Sequence, residues 1–107
     1  MASQGQQTET TGLDLTAIDD VIHGRLRLGI MAYLSGGSPA SFSELKTRTG
    51  TTNGNLSTHL TKLENAGYVS QEKGYAGKRP LTLVHLTEEG RTAWIGYLAE
   101  MRKLLES

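Results

Sequence analysis

The 107-residue chain contains no cysteine, which excludes disulfides, thiolate metal sites and cysteine nucleophiles. It has a single Phe and a single Trp, and hydrophobic residues make up only 36% of it, so its core must be small. No apolar run approaches the roughly 18 residues of a membrane-spanning helix, and no signal-peptide pattern is present. We therefore expect a cytoplasmic protein without a membrane partner.

Neither sign of charge is in excess, because 11 Lys and Arg balance 11 Asp and Glu. The distribution is nevertheless uneven. Residues 1–20 hold four acids and no base, whereas residues 46–79 hold six bases and two acids. A neutral chain with a basic centre can still present a basic face to nucleic acid.

The sequence lacks any cluster suited to metal binding or catalysis. His23, His59 and His85 are widely separated, without the close spacing of a histidine metal motif. Asp19 and Asp20 are adjacent on a predicted helix, so their side chains point in different directions. No serine has the His and acid partners of a hydrolase at a recognisable spacing. We therefore expect no metal site, no cofactor and no enzyme activity.

The stretch TTNGNLSTHLTKLENAG, residues 51–67, predicts a helix with both ends marked. Thr51 or Thr52 can act as the N-cap, and Gly67 suits the left-handed position that ends a helix. Leucines at i, i+4 and i+7 predict its buried stripe: Leu56, Leu60 and Leu63. The rest of the helix is rich in Asn, Ser and Thr, which form helices poorly but hydrogen-bond base edges and phosphates well. An ordinary polar surface helix is the alternative.

Two further helical segments precede this one. Residues 13–35 repeat aliphatic side chains every four residues, with a break expected near His23–Gly24 that divides a short leading helix from a main one. Residues 41–50 predict a short helix capped by Ser43 and ended by Gly50, which makes a helix-turn-helix with the next segment. Residues 1–12 are polar and are expected to form a disordered tail, so residues 13–107 form the single domain.

A β-hairpin and a last helix complete the predicted order. Tyr68–Lys73 and Leu81–Leu86 have β-rich patterns, and Gly74–Pro80 between them predicts a mobile, basic tip. Thr87 can cap a final helix whose apolar stripe runs from Trp94 to Leu105. The fold class is therefore mainly α with a small β-hairpin, in the order α-α-α-β-β-α of a winged helix-turn-helix.

The runs TNGNLSTHLTKLENAGYV and LTEEGR together resemble the MarR-like winged-helix transcriptional regulators, and in particular their short, stand-alone branch. The resemblance covers about residues 14–98. It implies a dimer that binds operator DNA, with the third helix in the major groove and the hairpin wing in or near the minor groove. The chain lacks the long extra helices that build the dimer domain and ligand pocket of full-length MarR proteins. The resemblance therefore does not predict whether this chain has a small-molecule effector.

The predicted double-stranded DNA contacts come from the start and outer face of the third helix and from the hairpin. They are Thr51, Thr52, Asn53, Asn55, Ser57, Thr58, Lys62, Lys73, Lys78 and Arg79. His59 flanks the leucine stripe and is expected to pack rather than to read bases.

Nothing that follows the last helix in the sequence could cover its apolar stripe, and the first helical region is apolar on two sides. We therefore expect a homodimer, and hence an inverted-repeat operator. The predicted interface residues are Ile18, Val21, Ile22, Trp94, Tyr97, Leu98, Met101 and Leu105. The alternative function is a winged helix used as a protein-interaction module without DNA binding.

Overall fold

Four α-helices and a three-stranded antiparallel sheet make up residues 14–106, which this computed structural model describes. The predicted tail at residues 1–12 lies outside the described residues. A 3₁₀ turn comes first, and the elements then follow as α1 Arg25–Gly36, β1 Ala40–Ser41, α2 Phe42–Thr49, α3 Asn53–Asn65, β2 Val69–Ala76, β3 Arg79–Leu86 and α4 Glu88–Glu106.

The predicted winged-helix order is confirmed, with one strand that the sequence analysis missed. The short strand β1 pairs antiparallel with β3, so that Ala40 lies opposite Val84 and Ser41 opposite Leu83. The sheet order is β1-β3-β2. A strand of two residues has no periodicity to detect, and this one exists because β3 offers it a free edge.

The break at Gly24 is confirmed, because this residue is the extended N-cap of α1. The leading piece is not the predicted α-helix. It is a 3₁₀ turn at Leu15–Ala17 followed by a turn in which Asp19 Oδ1 accepts a hydrogen bond of 2.8 Å from the Val21 amide. An aspartate that bonds the backbone two residues ahead favours a turn over a helix.

Helix α2 is capped by Ser41. The prediction that Ser43 caps it is wrong. Ser41 Oγ accepts from the Glu44 amide at 3.0 Å, and the Glu44 carboxylate accepts from the Ser41 amide at 3.4 Å. This reciprocal pair is a capping box, whose S-x-x-E spacing fits Ser41 alone. Gly50 ends the helix as predicted, with a left-handed φ of 68°.

The wing is longer and its tip tighter than predicted. Strand pairing continues to the tip, where Tyr75 lies opposite Pro80 and Ala76 lies opposite Arg79. The prediction of a loop over Gly74–Pro80 is therefore wrong. Only Gly77 and Lys78 form the turn, and Gly77 takes the positive φ of 66° that such a two-residue turn requires. Glycines and a proline suggested a loop, whereas cross-strand hydrogen bonds keep the segment extended.

The core lies between α1, α2, α3 and the base of the sheet, and it confirms the leucine stripe of α3. Its fully buried side chains are Ile22, Ile30, Met31, Leu34, Leu45, Leu56, Leu60, Leu63 and Val84. Each of the three stripe leucines is 0% exposed, which fixes the opposite side of α3 toward solvent.

The start of α4 packs directly on the backbone that follows α3. Thr87 Oγ1 accepts from the Gly90 amide at 2.9 Å, which confirms the predicted cap, and donates to the Gly67 carbonyl at 2.6 Å. The Thr87 amide donates to the Tyr68 carbonyl at 3.1 Å. A methyl group at Gly90 would lie 2.1 Å from that same carbonyl oxygen, so only glycine fits here. These contacts explain Thr87 and Gly90 of the run LTEEGR.

Candidate nucleic-acid interface

Helix α3 is fixed at both ends by its own sequence. Thr52 Oγ1 accepts from the Asn55 amide at 3.1 Å, so Thr52 rather than Thr51 is the N-cap. At the other end the Tyr68 amide donates to the Leu63 carbonyl at 3.0 Å, and Gly67 has a φ of 85°. This is the hydrogen-bond pattern of a Schellman motif. The helix therefore has a defined length and direction.

The polar side of α3 is exposed along its whole length. Thr51 is half-buried, and the other predicted residues of the helix and its cap are exposed: Thr52, Asn53, Asn55, Ser57, Thr58 and Lys62. The structure thus brings Asn55, Thr58 and Lys62 together along one side of the helix, with Ser57 beside them and with Thr52 and Asn53 at its N-terminal end.

Within this set, some polar atoms are already used inside the chain. Asn55 Nδ2 donates to Thr51 Oγ1 at 3.0 Å, which leaves Asn55 with its carbonyl oxygen and one amide hydrogen. Among residues 14–106, no hydrogen bond engages the side chains of Asn53, Ser57 or Thr58. Their donors and acceptors point outward and are available to a ligand.

A part-buried connection that the sequence analysis missed holds the middle of α3. Arg27 donates from Nε to the Val21 carbonyl at 2.5 Å and from Nη1 to His59 Nδ1 at 2.9 Å. Arginine can only donate, so His59 Nδ1 accepts in this contact. Burial, and then the charges of Arg27 and Lys62, lower the pKa of His59. The prediction that His59 packs rather than faces outward agrees with its half-buried position.

The wing carries three bases and one acid between residues 69 and 86. Lys73, Lys78 and Arg79 are all exposed, whereas Glu72 accepts a hydrogen bond of 2.9 Å from His85 Nε2. Side chains alternate along a strand, so Lys73 and Arg79 lie on opposite faces of the hairpin and Lys78 lies in the turn.

Two arginines outside the predicted set border the start of α3. A cleft of about 720 Å³ between α1 and the α2–α3 turn is lined by Arg25, Arg48, Thr51 and Asn55, among others. The Arg48 guanidinium lies 5.5 Å from the centre of the Tyr33 ring. These positive groups extend the basic surface beyond α3, and nothing in their sequence spacing indicated it.

The predicted dimer residues divide into buried and exposed members. Leu98 and Leu105 are 43% and 80% exposed, and Ile95, which the prediction omitted, is 61% exposed. Ile22 and Tyr97 are instead buried in the single chain, at 0% and 4%. The remaining members are partly buried against the core: Ile18, Val21, Trp94 and Met101.

Each described histidine has a partner within the chain. His23 Nδ1 lies 2.9 Å from the Tyr97 hydroxyl, and His59 and His85 contact Arg27 and Glu72. Residues 14–106 contain no group of three His, Asp or Glu side chains that could hold a metal ion. Over the same range, no helix is both long enough and apolar enough to cross a membrane.

A helix-turn-helix with an exposed, polar second helix, followed by a basic antiparallel hairpin, defines a winged helix-turn-helix domain. The chain belongs to the winged helix DNA-binding domain family, whose sequence model matches residues 26–105. Its fold is that of the MarR-family transcriptional regulators, which confirms the resemblance drawn from the sequence.

Three similar proteins illustrate the relationship. An uncharacterised protein of Methanocaldococcus jannaschii is 34% identical over 84 residues, covering 78% of this chain and 91% of the relative. A transcriptional regulator homologue from Pyrococcus horikoshii has a TM-score of 0.78 at 27% identity, covering 96% of both chains. A protein assigned to the MarR family from Enterococcus faecalis has a TM-score of 0.68 at 24% identity, covering 99% of this chain and 89% of its own.

Proposed function

We propose that this protein is a sequence-specific regulator of transcription that binds duplex DNA as a homodimer. The observation that carries the proposal is the exposed side of α3, where Asn53, Ser57 and Thr58 have no hydrogen-bond partner within residues 14–106. A rigid helix that presents free amides and hydroxyls suits the edges of base pairs in a major groove.

The residues of α3 take two roles in this proposal. Thr51, Thr52 and Asn53 lie at the helix N-terminus, where the helix dipole favours a phosphate. Asn55 and Thr58 read bases, and Asn55 does so with the carbonyl oxygen and the amide hydrogen that its bond to Thr51 leaves free. Lys62 contributes a positive charge on the side of Asn55 and Thr58, and the exposed Ser57 next to Thr58 contributes a further hydroxyl.

The wing adds backbone contacts. Lys73, Lys78 and Arg79 are exposed on a hairpin whose only acid, Glu72, is engaged by His85. Their charge favours the phosphates that flank the major-groove site, or the minor groove beside it.

The proposed dimer interface is formed by the exposed apolar side of α4, at Leu98 and Leu105, with Ile95 added to the predicted set. The partly buried Ile18, Val21, Trp94 and Met101 border it, whereas Ile22 and Tyr97 support it from the core. In a twofold dimer the two α3 helices enter successive major grooves about 34 Å apart, so the operator is an inverted repeat.

DNA binding is tested by selecting duplexes from a random pool and measuring the affinity for selected and scrambled sequences over a salt series. Lys78→Ala or Arg79→Ala should weaken binding to all sequences and lower the log–log salt slope by about two, because a dimer loses the charge twice. Asn55→Ala or Thr58→Ala should weaken binding mainly to the selected duplex. Thr92→Ala, an exposed change on α4, is the control.

If the wild type shows neither sequence preference nor salt dependence, the DNA-binding proposal is wrong and a protein-interaction module takes its place. Dimerisation is tested separately by sedimentation equilibrium, which should give twice the mass of one chain. Leu98→Glu should produce monomers, whereas Lys103→Glu, about 140° round α4 from Leu98 and exposed, should not. A monomeric wild type at micromolar concentration would refute the dimer.

A further inference from the structure

Tyr75 is a large aromatic residue that the wing holds in solvent. Its side chain is 74% exposed, although it lies within β2 directly opposite Pro80. The other exposed large hydrophobic residues of the described chain lie in the N-terminal turn or on α4. Tyr75 is therefore the one such residue on the wing within residues 14–106, and neither the core nor the proposed dimer interface accounts for it.

Strand alternation defines which way this ring faces. Tyr75 and Gln71 are four residues apart on β2, so they share a face, and the cross-strand partner of Gln71 is the fully buried Val84. Gln71 Nε2 donates to Glu64 Oε1 of α3 at 3.0 Å. The face that carries Tyr75 is thus the one turned toward α3, and near the tip it extends beyond the core.

The charges around the ring match a polyanion. Lys73 lies on the same face as Tyr75 and Lys78 follows in the turn, whereas Arg79 lies on the opposite face. Glu72, the one acid of the hairpin, lies on the opposite face. An apolar ring with bases beside it suits the backbone of duplex DNA, where deoxyribose carbons alternate with phosphates.

We propose that Tyr75 packs its ring against the deoxyribose edges of the minor groove next to the α3 half-site, while Lys73 contacts the adjacent phosphate. This inference rests on the proposed DNA-binding function and adds a contact to it that does not depend on charge. The hairpin is paired up to its turn, so the backbone that carries the ring is already held in place before binding.

A contact of this kind has a distinct signature in a salt series. Removing the ring releases no counterion, so Tyr75→Ala should lower affinity by about tenfold or more in a twofold complex while leaving the salt slope unchanged. Tyr75→Phe should keep most of the affinity, because the ring rather than the hydroxyl makes the contact. Lys78→Ala, in contrast, should lower the slope.

The experiment uses the full chain and a duplex selected from a random pool, with Leu15→Ala as the matched control. Leu15 is 64% exposed and lies in the 3₁₀ turn that precedes α1, outside the proposed DNA contacts, so its loss should not change DNA affinity. Thermal unfolding of Tyr75→Ala should match the wild type, since so exposed a side chain contributes little to the core. A loss of affinity can then be assigned to the contact itself.

A second measurement locates the ring on the DNA. Because the chain has no cysteine, Tyr75→Cys carries a unique thiol that can be labelled with an iron–EDTA cleavage reagent. Cleavage should fall in the minor groove at the outer flank of each half-site. Leu15→Cys, labelled in the same way, should not cut there.

The outcomes separate this inference from the proposed function. If the wild type prefers the selected duplex and Tyr75→Ala binds it equally well, the inference is wrong and DNA binding stands. A slope change as large as that of Lys78→Ala, or a loss in Tyr75→Phe equal to that in Tyr75→Ala, also overturns the ring contact. If the wild type binds no duplex, both proposals fall.

Discussion

Replacing Gly90 by alanine tests the packing of α4 on the segment that follows α3. The added methyl would lie 2.1 Å from the Tyr68 carbonyl oxygen and 2.9 Å from Leu86 Cδ1. This carbonyl belongs to the backbone and already accepts a hydrogen bond of 3.1 Å from the Thr87 amide. It cannot turn away from the methyl without losing that hydrogen bond. The helix itself must move outward by more than about 1 Å to reach an ordinary contact distance.

The cost follows from these contacts. Overpacking of this kind lowers the free energy of unfolding by about 1–3 kcal/mol, and loss of the Thr87–Tyr68 hydrogen bond adds about 1 kcal/mol. The better helix propensity of alanine returns at most about 1 kcal/mol. We expect a net loss of about 1–3 kcal/mol, which lowers Tm by roughly 4–8 °C for each kcal/mol in a domain of this size.

Gly96→Ala is the matched control, because the same substitution on the same helix meets open space there. No atom lies within 4 Å of the methyl that it adds, and the residue is exposed. It should raise the free energy of unfolding by about 0.5–1 kcal/mol. Urea unfolding followed by circular dichroism, at one protein concentration, measures both variants. If Gly90→Ala is as stable as the wild type, the packing of α4 described here is wrong.

Three further predictions concern other contacts. Ser41→Ala should cost about 1 kcal/mol in urea unfolding, because it removes the α2 cap, whereas the exposed Ser43→Ala should cost little. The lowered pKa of His59 gives stability that is present above the unfolded value of about 6.5 and is lost as pH falls through the folded one. His59→Asn should therefore flatten the acid limb of the stability–pH curve, and an unchanged limb would contradict this. The hydrogen bond to Asp19, and then burial, raise the pKa of Tyr68 to about 12, so its contribution is complete below about pH 10 and is lost from there upward. Tyr68→Phe should remove that alkaline dependence, which unfolding at pH 9 and pH 11 would reveal.

The features that could be predicted from sequence are those whose cause is local. The start of α3 at Thr52 and its end at Gly67 could be predicted, because a cap and a left-handed glycine act within a few residues of their own position. The leucine stripe was equally readable, since burial of one helix side imposes a 3.6-residue period. Once the buried stripe of α3 is known, its remaining residues must face solvent. Most of the candidate site on this helix could therefore be predicted.

The features that were missed depend on residues far apart in the chain. Arg27 reaches His59 across 32 positions, and β1 exists only because β3 lies beside it. Tyr75 went unnoticed because an aromatic residue in a β-rich segment ordinarily packs inward. Only the register of the hairpin shows that this one lies beyond the core.

The short segment before α1 has a consequence for where the folding unit begins. Ile22 is fully buried, Asp19 holds the Tyr68 hydroxyl, and the backbone at Val21 accepts Arg27. The family match starts at residue 26, after all three. A fragment cut at that point would leave a gap in the core and would remove the hydrogen-bond partners of the part-buried Tyr68 hydroxyl and Arg27 Nε. The smallest autonomous version of this domain therefore starts before Asp19, several residues ahead of the sequence that defines its family.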